Sequence, residues 1–157
     1  MSFRITGLSP EPFRHLYGLS DQELALYGVK RYIADKRPGF PDRIEMRDVS
    51  VGEKLLLLSH VCQPANTPYR ATHAIFVREG AENAYDRVDE VPEVIRARLL
   101  SLRAYDAEGM MPDADIVDGK EIEDVISRFF VSPRVAYIHA HNAKRGCYSG
   151  RIDRAKS

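Results

Sequence analysis

The stretch Val135-Ala-Tyr-Ile-His-Ala-His-Asn-Ala-Lys-Arg-Gly-Cys-Tyr148 gathers His139, His141, Asn142 and Cys147 within nine residues. These side chains can move a proton, ligate a metal, grip an anion or attack an electrophile. The whole chain has five histidines and two cysteines, so this is a real concentration of reactive groups. In a strand, successive side chains point to opposite faces and residues i and i+2 lie about 6.6 Å apart on one face. Strand geometry therefore puts Ala136, Ile138 and Ala140 on one face, suited to a core, and Tyr137, His139 and His141 on the other. Asn142 to Gly146 has turn chemistry, and Cys147 to Ile152 reads as a return strand. Cys147 then sits near the end of a hairpin, where an imidazole can approach it.

Three chemistries suit these residues. In the first, Cys147 is a nucleophile, paired as thiolate and imidazolium with His139 or His141. Lys144 and Arg145 would activate it, and the backbone around Gly146 would supply an oxyanion donor. In the second, His60, Cys62 and His73 on a preceding hairpin join His139, His141 and Cys147 as a soft N and S ligand set, which zinc would accept. The spacing is dispersed and assigns no metal. In the third, the turn Thr67-Pro-Tyr-Arg70 places Tyr69 and Arg70 before a strand. Arg70 as a bidentate fork, with Tyr69, His139, His141 and Asn142, would bind a carboxylate or phosphate. No complete catalytic set is visible, so binding of a small anionic molecule by the His-x-His-Asn hairpin is the leading expectation. An enzyme using Cys147 with His139 or His141, a metal-dependent enzyme, and a structural or partner-binding protein are the alternatives. Each residue also has a plainer role. Alternating histidines on a half-buried strand can hydrogen-bond to backbone, and a free cysteine commonly fills a buried gap.

The elements that must position these groups follow from the same reading. Phe3 to Thr6 alternates as a strand. Ser20-Asp-Gln-Glu23 is a capping box, and the helix that it opens ends at Gly28. Val29 to Ala34 is strand-like, and Arg43 to Met46 reads as a short strand. Lys54 to Gln63 is a central strand apolar on both faces. It returns across a Pro-rich turn as Thr72 to Arg78, which favours antiparallel pairing. Residues 79–92 read as an acidic loop, followed by a short helix near Pro92 to Ala97. Leu99 to Tyr105 and Asp113 to Val117 are strands. Lys120 to Phe130 is the best helix, with Ile122, Val125, Ile126, Phe129 and Phe130 on one face. The expected core includes Leu55, Leu57, Ile75, Val77, Leu100, Leu102, Ile126, Phe129 and Ile138. Many strands with two or three helices define an α+β fold, a mainly antiparallel sheet in a single domain spanning 1–157.

Composition bounds the function classes. A chain of 157 residues can bury about 70% of its unfolded surface without staples. Lys plus Arg equals Asp plus Glu at 23 each, which argues against a general nucleic-acid or membrane-surface role. The charge is uneven, with an acidic stretch over 79–93 and basic residues over 134–157. Two cysteines make no disulfide framework. No apolar signal core or membrane-length run is present, so a cytoplasmic protein with reduced thiols is the default. No Gly-rich phosphate loop, CxxC pair, HExxH or GxSxG motif names a cofactor or reaction. Nothing in the sequence sets the oligomeric state.

Several segments together carry a resemblance: the opening Phe3-Arg-Ile-Thr-Gly-Leu8, Gly39-Phe-Pro41, Leu55 to Leu58, Thr67 to Arg70, Ile75-Phe-Val77, Leu99 to Asp106, and His139-Ala-His-Asn-Ala143 with Gly146-Cys147. In combination they resemble bacterial domain-of-unknown-function family 1203. The resemblance spans nearly the whole chain. It implies one domain in a bacterial cytosol and brings no activity with it. Relatives in that family often have Cys where this chain has Asp42, so a mechanism requiring a thiol at that position is not available here.

Overall fold

The computed structural model describes residues 2–155. Among the described residues, nine strands form two antiparallel sheets. They are β1 (Phe3–Thr6), β2 (Lys30–Ile33), β3 (Lys54–Gln63), β4 (Ala71–Arg78), β5 (Asp86–Val88), β6 (Leu99–Tyr105), β7 (Asp113–Asp118), β8 (Tyr137–Asn142) and β9 (Tyr148–Arg154). The larger sheet has the order β5-β1-β9-β8-β6-β7, and the smaller one β2-β3-β4. The helices are α1 (Asp21–Leu26), α2 (Glu93–Arg96) and α3 (Ile122–Phe130), and α3 is entered through a 3-10 turn at Gly119–Glu121. This is the expected α+β architecture.

Helix α3 lays Ile122, Val125, Ile126, Phe129 and Phe130 on the larger sheet, where they meet Leu100, Leu102, Ile138, Ala140 and Ile152. A second apolar cluster, with Leu24, Ile44, Leu56, Leu58, Ile75, Val77 and Tyr148, joins the smaller sheet to the opposite face. The face of β8 that carries the histidines therefore looks toward the smaller sheet, away from α3. Helix α1 begins with the full capping box: the Ser20 hydroxyl accepts from the Glu23 N–H and the Glu23 carboxylate from the Ser20 N–H. It stops at Gly28, whose φ of 71° is the left-handed value that only glycine adopts freely.

Three local expectations need correction. Residues 43–45 form a turn rather than a strand, with Met46 at φ 54°. The Asp42 carboxylate accepts from the N–H groups of Ile44 and Glu45 at 3.2 and 2.6 Å. That local acceptor competes with a sheet ladder. Within the acidic loop, Asp86–Val88 pairs with β1 as an edge strand. Its three exposed residues include Asp86 and Arg87, the charged chemistry that edge strands commonly use. Leu57 is only half-buried, because Leu56 and Leu58 face the larger sheet while Leu55 fills a small satellite cluster with Ala34 and Val49. The other expected core residues are buried.

Candidate functional site

Pairing of β8 between β6 and β9 builds three rows on the face opposite α3. Register places Tyr105, Tyr137 and Asp153 in one row, and Arg103, His139 and Arg151 in the next. Ser101, His141 and Tyr148 make the third, beside a register shift between Ala140 and His141. The rings pack as a continuous cluster. Tyr105 stacks on Tyr137 with centroids 5.4 Å apart, His139 meets Tyr105 at 5.0 Å and Tyr148 at 5.1 Å, and the two β8 imidazoles are 6.3 Å apart. The smaller sheet closes over them: His73 of β4 meets His141 edge-on at 4.8 Å, and the Gln63 amide of β3 donates to the Tyr137 hydroxyl at 2.9 Å.

His139 and His141 are 4% and 2% exposed. Burial pushes both imidazoles down to about 3, helped by His141, Arg151 and Arg103 around His139 and by Arg103 around His141. Both are therefore neutral at pH 7. His141 Nδ1 lies 2.9 Å from the Gly146 carbonyl, which can only accept, so Nδ1 carries the proton and Nε2 the lone pair. Among the described residues, His139 Nδ1, His73 Nε2 and Asn142 Oδ1 are buried polar atoms without a partner. Such orphans cost stability, and in a native structure they call for an explanation.

Cys147 is half-buried, and its surroundings are set by a residue that the sequence did not single out. The guanidinium of Arg43 is 3% exposed. It donates to the carbonyls of Tyr148 and Pro41 at 2.9 and 2.7 Å and to Cys147 Sγ at 3.3 Å, and it makes no carboxylate ion pair among the described residues. The Asn142 amide also faces Cys147 Sγ, at 3.8 Å. Asp42 fixes the loop that aims Arg43: beyond its two turn bonds it accepts from the Arg78 N–H of β4 at 2.7 Å, and the Arg43 N–H donates to the Phe76 carbonyl at 3.1 Å. Burial raises the Asp42 carboxyl despite those three backbone bonds. Asp42 is thus a structural residue here. No periodicity marks Arg43, and the sequence places it only at the start of a short strand, with nothing to tie it to Cys147.

Four candidate residues, Tyr69, Arg70, Lys144 and Arg145, are exposed. Tyr69 and Arg70 lie exposed in the β3–β4 connection, where the Arg70 guanidinium donates to the Pro64 carbonyl at 2.5 Å. Lys144 and Arg145 are exposed in the β8–β9 turn. Among the described residues no three His, Cys, Asp or Glu side chains converge closely enough to hold a metal ion. Cys62, half-buried at a bulge in β3, donates its S–H to the His60 carbonyl at 3.4 Å, and burial pushes its thiol up to about 11. Two clefts lie elsewhere. One of about 490 Å³ is lined by Arg37, Glu45, Arg47, Asp48 and Tyr85, and one of about 210 Å³ by Phe13, His15, Tyr27 and His60. Neither is lined by Cys147 or the β8 histidines.

The family described as Protein of unknown function (DUF1203) matches residues 39–154, and the chain belongs to it. The matched segment contains Arg43, Cys62, His73, His139, His141, Asn142 and Cys147. No curated protein and no solved structure matches the chain. No helix among the described residues is long and apolar enough to cross a membrane.

Proposed function

We propose that this chain is a thiol-dependent protein in which Cys147 attacks a small electrophile. The observation that carries the reading is Arg43: a buried guanidinium with no carboxylate partner among the described residues, donating to the Cys147 sulfur. An unpaired buried charge is costly, and an anionic sulfur is the counter-charge within its hydrogen-bond reach. Reactive cysteines sit in electropositive, partly exposed surroundings of this kind. The activating cation in this reading is a guanidinium, because both β8 imidazoles are held neutral. Asn142 supplies a second donor to the sulfur, and His141 Nε2 offers an acceptor on the same face. Cys147 lines neither of the two clefts, and a half-buried sulfur of this kind suits a substrate of a few atoms.

The test is alkylation of the reduced native protein by iodoacetamide at pH 6.5, read by peptide mass. Native Cys147 should react at least about tenfold faster than in urea-unfolded chain, a difference of about 1.4 kcal/mol. Asn142→Ala and Arg43→Met should slow it. Labelling of Cys147 that appears only on unfolding would make it a core residue and end the thiol reading.

A second reading is retention of a small anion without chemistry. Arg103 favours it: this half-buried arginine stands in register beside His139, with only a long 3.4 Å bond to the Ser101 hydroxyl and no ion pair among the described residues. A ligand bound only by the native state raises the unfolding midpoint according to its affinity. Phosphate, acetate and sugar acids in a thermal-shift series should then raise the midpoint in wild type and less in Arg103→Gln. No shift with any of them removes this reading.

A further inference from the structure

Resting on the thiol reading, we propose that Cys62 is the resolving partner of Cys147 and that the two form a reversible disulfide after Cys147 is oxidised by a hydroperoxide. The chain has two cysteines, and folding brings both to the neighbourhood of one buried arginine. Cys62 lies in β3 of the smaller sheet and Cys147 in the turn before β9 of the larger one, so their approach is a product of tertiary packing. Cys62 sits at the β3 bulge between Val61 and Gln63, where the ladder to β4 is interrupted and the strand can re-aim a side chain. It packs against the cluster that includes Tyr148, the residue following Cys147. The sheets meet at this level through His73 on His141 at 4.8 Å, and the hairpin carrying His141 holds Cys147 against Arg43 and Asn142. The main-chain N–H of His73 also faces the Cys62 sulfur.

The two thiols are unequal, as such a pair requires. Cys62 is held protonated by burial and by its bond to the His60 carbonyl, whereas Cys147 has two N–H donors on its sulfur. Cys147, half-buried and with both donors on its sulfur, is the thiol placed to react first. Its sulfur attacks the distal peroxide oxygen. The O–O bond breaks, an alkoxide leaves and takes up a proton as the alcohol, and Cys147 becomes a sulfenic acid. The Cys62 sulfur then attacks the Cys147 sulfur. The S–S bond forms, the S–O bond breaks, and hydroxide leaves as water with the Cys62 proton. The two thiols lose two electrons in total and the hydroperoxide gains them. A thiol reductant reverses the step by exchange. A peroxide is small enough for a sulfur that lines neither cleft.

The experiment uses the full reduced chain with one equivalent of hydrogen peroxide, with and without dimedone, followed by non-reducing peptide mass analysis. Wild type should lose a pair of hydrogens as a monomer, yield a Cys62–Cys147 linked peptide and take up little dimedone. Cys62→Ser should accumulate dimedone on Cys147, and Cys147→Ser should leave Cys62 reduced. Equal dimedone uptake in wild type and Cys62→Ser, with no linked peptide, would overturn the disulfide while leaving the thiol reading intact. A disulfide found only between two chains would overturn it as well. No oxidation of Cys147 in either protein, together with no native-state alkylation, would remove both.

Discussion

The two buried histidines should make the fold acid-labile at pH values above those at which its ion-paired carboxylates titrate. His139 and His141 are held neutral, at about 3, whereas an unfolded histidine titrates near 6.5. A depressed histidine contributes stability that is full above the unfolded value. That stability is lost as pH falls from about 6.5 toward 3, because the unfolded chain takes up protons that the folded chain refuses. Between pH 7 and pH 5 each group accounts for about 2 kcal/mol, so the pair removes about 4 kcal/mol, a large part of the 5–15 kcal/mol typical of a domain. His60 and His73, also lowered by burial, act in the same sense. Carboxylates such as Glu53, lowered to about 2 by Arg47, lose their contribution only below about pH 5. The assay is urea unfolding at pH 7 and pH 5, comparing wild type with His139→Phe. Phenylalanine suits a site walled by Tyr105, Tyr137 and Tyr148, and it removes an orphaned nitrogen. The variant should lose about 2 kcal/mol less than wild type on acidification. An identical loss in both proteins, or a wild-type loss below about 1 kcal/mol, would refute the buried, neutral assignment.

Phe129, 1% exposed at the centre of the α3 face, should cost about 3–5 kcal/mol on change to Ala, read as a lower urea midpoint. Gly119→Ala should destabilise by more than about 1 kcal/mol, since its Cβ would stand 2.0 Å from the Ile95 carbonyl oxygen; unchanged thermal stability would show that the α2–α3 approach is looser. Blocking Cys147 with iodoacetate leaves an anion beside Arg43, whereas iodoacetamide leaves a neutral group of similar size. A charge-assisted bond of about 2 kcal/mol should make the carboxymethyl form melt about 4–8 °C higher, and equal midpoints would mean that Arg43 needs no counter-charge there.

The fold was legible where local pattern and tertiary demand agreed. The α3 stripe, the Ser20–Glu23 box, the alternation of β8 and the both-face apolar run of β3 each describe a surface that must be buried or a terminus that must be satisfied. Asp86–Val88 was illegible because an edge strand is chosen by the free edge of β1 and not by its own residues. Arg43–Met46 misled for the opposite reason: a β-compatible run is overruled by one side chain, Asp42, that captures its backbone donors. The site divides in the same way. Spacing located His139, His141, Asn142 and Cys147 correctly on one hairpin, because that hairpin is local. It could not locate Arg43, which reaches the sulfur from more than a hundred residues away in sequence.

That distant arginine changes what the hairpin can do. With only local residues in view, a thiol beside two histidines implies an imidazolium partner and a general base. In the folded chain both imidazoles are desolvated and lie near Arg103 or Arg151, so protonating either would add a cation to a buried face already rich in positive charge. Asp153 pairs with Arg151 on that face, whereas Arg43 and Arg103 have no carboxylate partner among the described residues, and in the proposed readings Cys147 or an incoming anion supplies that missing charge. The thiol and anion readings are thus two answers to one electrostatic demand, made by Arg43 and Arg103 together. They separate at the sulfur: only the thiol reading requires Cys147 to react in the native state, and only the anion reading survives its replacement by Ser.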